Sequence, residues 1–216
     1  MSIRTLTPLV TPLAALVVVI FTLTAAPAAA FNNQQATDFL GSLQERAVAE
    51  LSDASISNNE KEERFRTLFN QSFDVPAIGR FVLGRYWRGA SDEDRDAFLA
   101  VFEDVIVQRF LPLLTENSDR RFEIGTVTPI RDRNDMAFVN SQIPRADGEP
   151  YKVSWRIREK EGQYKILDIR AEGVSMAQTL RSEYGTVIKR NGGKLSALTA
   201  ALREKVSGAA FAPQQQ

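Results

Sequence analysis

The chain contains neither histidine nor cysteine. Without an imidazole or a thiol, a single chain cannot build a Ser-His-Asp or Cys-His nucleophilic site, a Cys/His zinc site or a CxxC redox pair. Carboxylate chemistry and all-oxygen metal sites survive that cut. An excess of one charge is missing too: 27 Lys and Arg stand against 27 Asp and Glu in 216 residues, mixed along most of the chain. Such a balance creates no basic field able to hold a nucleic-acid backbone, so no nucleic-acid partner is expected. The length suits one domain or two small ones.

Long apolar runs are confined to the start. Residues 1–30 carry Arg4 as their single charge, then the apolar run Leu13 to Leu23, then small residues ending in Ala28-Ala29-Ala30. A spanning helix needs ~20 apolar residues, and this run falls short of that. The segment reads as a secretory signal peptide with an A-x-A cleavage site. No cysteine flanks the cut to carry a lipid anchor. Loss of Arg4 leaves a net charge of −1 on residues 31–216, which are expected to form a soluble periplasmic protein. In an oxidising compartment and without disulfides, its core must hold it together unaided.

What is present is a hydrophobic period that changes twice, from helical to strand and back. Phe39, Leu40, Leu43, Ala47 and Leu51 form one helical stripe, and Phe65, Leu68 and Phe69 form a second. Asp74, with Pro76 in the first turn, caps a short helix carrying Ile78, Phe81 and Val82 and interrupted at Gly84. Ser91 and Asp94 resemble a capping box and open a long helix. Its residues Phe98, Val101, Phe102, Val105, Ile106, Phe110 and Leu113 recur at three and four, which gives a broad aromatic-rich face. From Phe122 the period becomes two, predicting strands near Phe122 to Ile130, Asp135 to Ile143, Tyr151 to Arg158 and Gln163 to Ala171. Tyr151, Val153, Trp155 and Ile157 share one face of the third strand, and Lys152, Ser154, Arg156 and Arg158 share the other. After Gly173 the chain is expected to return to helix with Ser175 as cap, and a last helix carries Leu195, Leu198, Leu202 and Val206. The domain is expected to span residues 31–207, with a frayed tail from Gly208 to Gln216.

This pattern predicts an α+β fold: a four-stranded antiparallel twisted sheet covered by helices. Such a layer either packs as an ordinary core or encloses a cavity, and the 13 Phe and 2 Trp suit both.

Two strings go further. Val82-Leu83-Gly84-Arg85-Tyr86-Trp87-Arg88-Gly89-Ala90-Ser91, followed by Arg95, Phe98 and Phe102, resembles the MlaC family, the toluene-tolerance periplasmic phospholipid carriers. So does Asp168-Ile169-Arg170-Ala171-Glu172-Gly173-Val174-Ser175-Met176, continuing through Tyr184-Gly185 to Gly192 and Leu198. The order of elements agrees from about Phe39 to Leu202. The resemblance implies an NTF2-like sheet with added helices around an apolar pocket for acyl chains. It also implies a shuttle of phospholipid between an outer-membrane lipoprotein complex and the MCE subunit of an inner-membrane ABC transporter. A hopanoid-associated branch of the family shares the motifs.

The physical requirement on such a carrier is simple. A diacyl lipid with roughly thirty buried methylenes at ~0.8 kcal/mol each carries ~24 kcal/mol of apolar transfer free energy, so it needs comparable apolar surroundings to cross water. No catalytic group and no cofactor are needed. The candidate wall is Val153, Trp155 and Ile157 facing Phe98, Phe102 and Val105, with Phe138, Val174 and Met176 as further candidates. Plain core packing is the competing reading of each. Arg85 and Arg88 could hold a phosphate as a fork or merely pair with the acidic run Asp92 to Asp96. Asp168 and Glu172 have no second acid or nucleophile placed near them by spacing, which speaks against catalysis. A small hydrolase with a buried carboxylate in its cavity, or an adaptor with a filled core, are the alternatives.

Overall fold

A computed structural model describes residues 31–53, 55–116, 121–145 and 148–209. The proposed signal peptide therefore lies outside the described residues. Helices α1 (Asn33–Leu51), α2 (Asn58–Ser72), α3 (Val75–Leu83), α4 (Arg85–Gly89) and α5 (Asp92–Glu116) come first. Strands β1 (Glu123–Ile130), β2 (Arg133–Ile143), β3 (Tyr151–Lys160), β4 (Gln163–Ala171) and β5 (Val174–Ser175) follow, then α6 (Met176–Arg190) and α7 (Leu195–Ala209). Helix α7 runs through Gly208 to Ala209, so the start of the expected frayed tail is helical; residues 210–216 lie outside the described residues.

The helix starts follow from side chains that take up orphan backbone donors. Ser57 accepts from the Glu60 N–H, Asp74 from Ala77 N–H at 3.0 Å, Ser91 from Asp94 N–H at 3.1 Å and Ser175 from Gln178 N–H at 3.1 Å. Gly84 separates α3 from α4 at φ 54° and ψ −118°, a conformation that only glycine adopts without strain. A Cβ there would also stand 2.7 Å from the Arg181 guanidinium.

The sheet is a meander in the order β1-β2-β3-β4-β5, antiparallel throughout. Its fifth strand was not expected. Glu172 and Gly173 turn at positive φ, so the chain doubles back and pairs Ala171 with Val174 and Arg170 with Ser175 before α6 begins. Period two holds on β3: Val153 and Ile157 are buried, with cross-strand partners Ser141 and Ala137 on β2. A register shift between Arg156 and Ile157 sets Ile157 against Ile166 and leaves Leu167 as the extra residue of β4.

Two separate apolar clusters form. One joins α2, α3, α5, α6 and α7 around Phe98, Phe102, Val82 and Ile188. The other packs Ala36 and Leu40 of α1 on Val139, Ile157 and Ile166 of the sheet. Between them the layers stand apart. Arg66 on α2 donates to Asp104 at 2.8 Å and Asn70 donates to Glu103 at 3.0 Å, tying α2 to α5. Among the described residues no helix is long and apolar enough to cross a membrane.

Candidate functional site

The gap between the clusters is a cavity of about 330 Å³. Ligand sites occupy roughly 300 to 1,000 Å³, so the space is of ligand size and too large to be a packing defect. One wall comes from the sheet: Ile143, Val153, Trp155, Leu167, Ile169 and Ala171. The opposite wall is α5, where Phe102, Ile106, Phe110 and Leu113 follow one stripe at spacings of four, four and three. Leu43 and Ala47 of α1, Phe65, Leu68 and Phe69 of α2, and Met176 and Leu180 of α6 close the sides. Six of the 13 phenylalanines line this space (Phe65, Phe69, Phe73, Phe102, Phe110 and Phe122), so the aromatic content serves both cavity wall and core.

The polar side chains in the lining are Gln44 and Asp168, and both are already engaged. Gln44 Oε1 accepts the Phe122 N–H at 2.6 Å. Asp168 Oδ2 accepts from the Ser175 hydroxyl at 2.7 Å and Oδ1 accepts from the Ala177 N–H at 3.0 Å, so the carboxylate anchors the first turn of α6. Trp155 turns its indole N–H to Ser141 Oγ at 2.9 Å and its ring towards Phe122, 5.3 Å between centroids. A guest in this cavity therefore meets mainly hydrocarbon and aromatic surface; of the two polar side chains among the described lining residues, Gln44 keeps its amide NH2 group unbonded within the protein. Exposed apolar side chains mark its mouth: Leu113 and Leu114, 52% and 40% exposed, belong to the lining itself. Among the described residues no group of acids could hold a metal ion.

Of the residues proposed from sequence, Phe102, Val153, Trp155 and Met176 line the cavity and the other five do not. Phe98 is fully buried between Phe102 (5.6 Å) and Tyr184 (6.1 Å), one turn before the cavity begins. Val105 is turned about 60° round α5 from Phe102 and packs into the helical cluster. Ile157 lies under α1, where the layers touch. Phe138 points to the other sheet face, stacked by Arg170 at 4.1 Å. Val174 is 63% exposed because β5 places it on the outside of the Glu172-Gly173 turn. Arg85 and Arg88 stay out of the lining, and Arg85 lies over Tyr86 while donating to its hydroxyl. The lining residues of α1 and α2 were visible as apolar stripes, but a stripe reads the same whether it meets a neighbour or a guest.

A helix-wrapped meander around an apolar cavity with a mouth to solvent is an architecture suited to holding an apolar molecule. The family model described as "MlaC protein" matches residues 42–204, and the chain belongs to that family. It is 29% identical over 119 residues to the intermembrane phospholipid transport system binding protein MlaC of Haemophilus influenzae, covering 53% of this chain and 54% of the relative. It is 23% identical over 124 residues to the toluene tolerance protein ttg2D of Pseudomonas putida, covering 56% of each. The chain thus spans about half the length of the curated relatives it matches. The fold is also that of a phospholipid-binding protein from Ralstonia solanacearum, solved in complex with a phospholipid. That likeness has a TM-score of 0.70 at 18% identity and covers 81% of this chain and 98% of that one.

Proposed function

We propose that this protein is a periplasmic phospholipid carrier, without catalytic activity, that shields acyl chains during passage between membranes. The observation that carries the reading is the cavity, whose walls are apolar and whose two polar members are already bonded to the protein. Burial of methylenes there, at ~0.8 kcal/mol each, is what makes a lipid portable through water. Phe102, Val153, Trp155 and Met176 form the acyl-chain wall together with Phe69, Phe110 and Leu167. The lipid headgroup stays at the mouth by Leu113 and Leu114, because the interior is almost wholly apolar. In this reading the donors and acceptors are an outer-membrane lipoprotein complex and the MCE subunit of an inner-membrane ABC transporter; what supports passage between membranes is the likeness to a binding protein of an intermembrane phospholipid transport system. Export follows from residues 1–30, so protein from its native host should start near Phe31 in soluble periplasm; full-length protein in washed membranes would contradict this. The function is tested by moving a labelled phospholipid from donor to acceptor vesicles across a barrier that passes protein but not vesicles. Transfer should scale with protein concentration, and transfer no faster than without protein would overturn the reading.

A further inference from the structure

The outer face of the sheet carries a group of cations that the cavity does not use. Arg156 on β3, Arg170 on β4 and Arg181 on α6 stand around Phe81 and Phe138. Arg156 and Arg181 lie over the Phe81 ring at 5.6 and 5.1 Å, and Arg170 lies over Phe138 at 4.1 Å. Two neighbouring arginines are neutralised, Arg133 by Asp135 and Arg158 by Asp74. Asp168 is the one carboxylate facing Arg156 and Arg170, 4.0 Å from Arg170 Nε, and it already accepts from Ser175 and Ala177, while Arg181 donates to the Phe81 carbonyl at 2.7 Å. Two positive charges are left over. Arg156 Nε and Arg170 Nε are buried with no hydrogen-bond partner among the described residues. Burial lowers the Arg156 pKa, and Arg170 and Arg133 push it the same way, while Asp168 opposes them. Orphaned donors on a guanidinium are rare in folded proteins, and since both Nε atoms are buried while the Arg170 side chain stays 38% exposed, a carboxylate from outside would meet the exposed atoms of these side chains.

We propose that this face, built from Arg156, Arg170 and Arg181, is a docking surface for an acidic segment of a partner protein. Charge complementarity selects the occupant: the forks are spread over two strands and α6, so several carboxylates on one chain fit them better than one small anion. A bilayer suits them less, because Arg156 and Arg170 are partly buried against rings, while among the described residues the exposed large apolar side chains are Leu113, Leu114, Tyr151 and Val174, none of them part of this group. The proposal stands apart from the lipid reading, since none of the three arginines lines the cavity.

The test follows the arginine Nε–H resonances of residues 31–216 by NMR while a short polyglutamate peptide is added. The expected result is saturable shifts at Arg156 and Arg170 and binding about tenfold weaker in Arg156→Gln/Arg170→Gln, as for loss of charge-assisted forks. Arg156→Lys/Arg170→Lys keeps the charge and removes the forks, so it should also bind more weakly, and it serves if the glutamine variant fails to fold. Lys61→Gln/Lys194→Gln removes as much charge elsewhere and should bind as the parent does. Equal binding by parent and both arginine variants would overturn the proposal. So would inorganic phosphate saturating the same resonances as tightly as the peptide, or phosphatidylglycerol vesicles binding through these arginines more tightly than the peptide.

Discussion

Phe98 and Trp155 are large aromatic residues on opposite layers, and truncating each to alanine separates a packed core from the wall of a cavity. Phe98 is fully buried and touches Phe102, Tyr184 and the helix at Gly79. Phe98→Ala opens a new hole in a closed cluster, which costs ~3 to 5 kcal/mol, a large part of the ~5 to 15 that a domain has. Trp155 borders space that exists already. Its truncation loses the ring contact with Phe122, worth ~1 kcal/mol, and the indole bond to Ser141, worth ~1 kcal/mol, with little new cavity to pay for. Trp155→Ala should therefore cost about 2 kcal/mol, less than Phe98→Ala. Urea unfolding of lipid-stripped protein measures both, with unchanged slopes showing that the two remain comparable. Equal costs would mean that the space beside Trp155 closes up in solution and that the site is ordinary core.

Three further outcomes rest on single contacts. Val153→Asp puts an unpaired carboxylate on the sheet wall; circular dichroism should show a folded protein and extraction should show lost lipid, whereas full lipid retention would remove this face from the site. Tyr184 is pushed up to about 12 by burial and by Glu183. Because the folded state holds this proton more tightly, its contribution is complete below pH ~10 and is lost, by about 2 to 3 kcal/mol, as pH rises towards 12. Tyr184→Phe should flatten alkaline unfolding in that window, and an unchanged profile would refute the assignment. Asp74 caps α3 and pairs with the partly buried Arg158, so Asp74→Ala should cost about 2 kcal/mol or more in thermal or urea unfolding, while a loss under 0.5 kcal/mol, roughly that of a neutral surface change, would argue against it.

The parts of the fold that local chemistry decides were legible in the sequence. Asp74, Ser91 and Ser175 cap the helices expected of them, and on β3 Val153 and Ile157 are buried as their period predicts, although Tyr151 at the strand's start is exposed and Arg156 on the other face is partly buried. Strand β5 was not legible, because a two-residue pairing depends on Glu172 and Gly173 turning at positive φ rather than on any periodic run. Which candidates line the cavity was half legible for a related reason. Periodicity places Val153, Trp155 and Ile157 on one face, but only the tertiary arrangement, which buries Ile157 in the cluster with Ala36 and Leu40 and leaves Val153 and Trp155 in the cavity wall, decides which of them meets space. On α5 the same limit separates Phe102 from Phe98, one turn apart on a common stripe. Phe138 was misplaced for a simpler reason: its β3 partner is Arg156, so it belongs to the face that Arg156 occupies.

The central claim is that the space between α5 and the sheet holds acyl chains. Organic extraction of the purified native protein, followed by mass spectrometry of the extract, tests it most directly. The account predicts phospholipid in stoichiometric amount with the protein. A lipid-free extract from protein that is natively folded and was purified without detergent would contradict it.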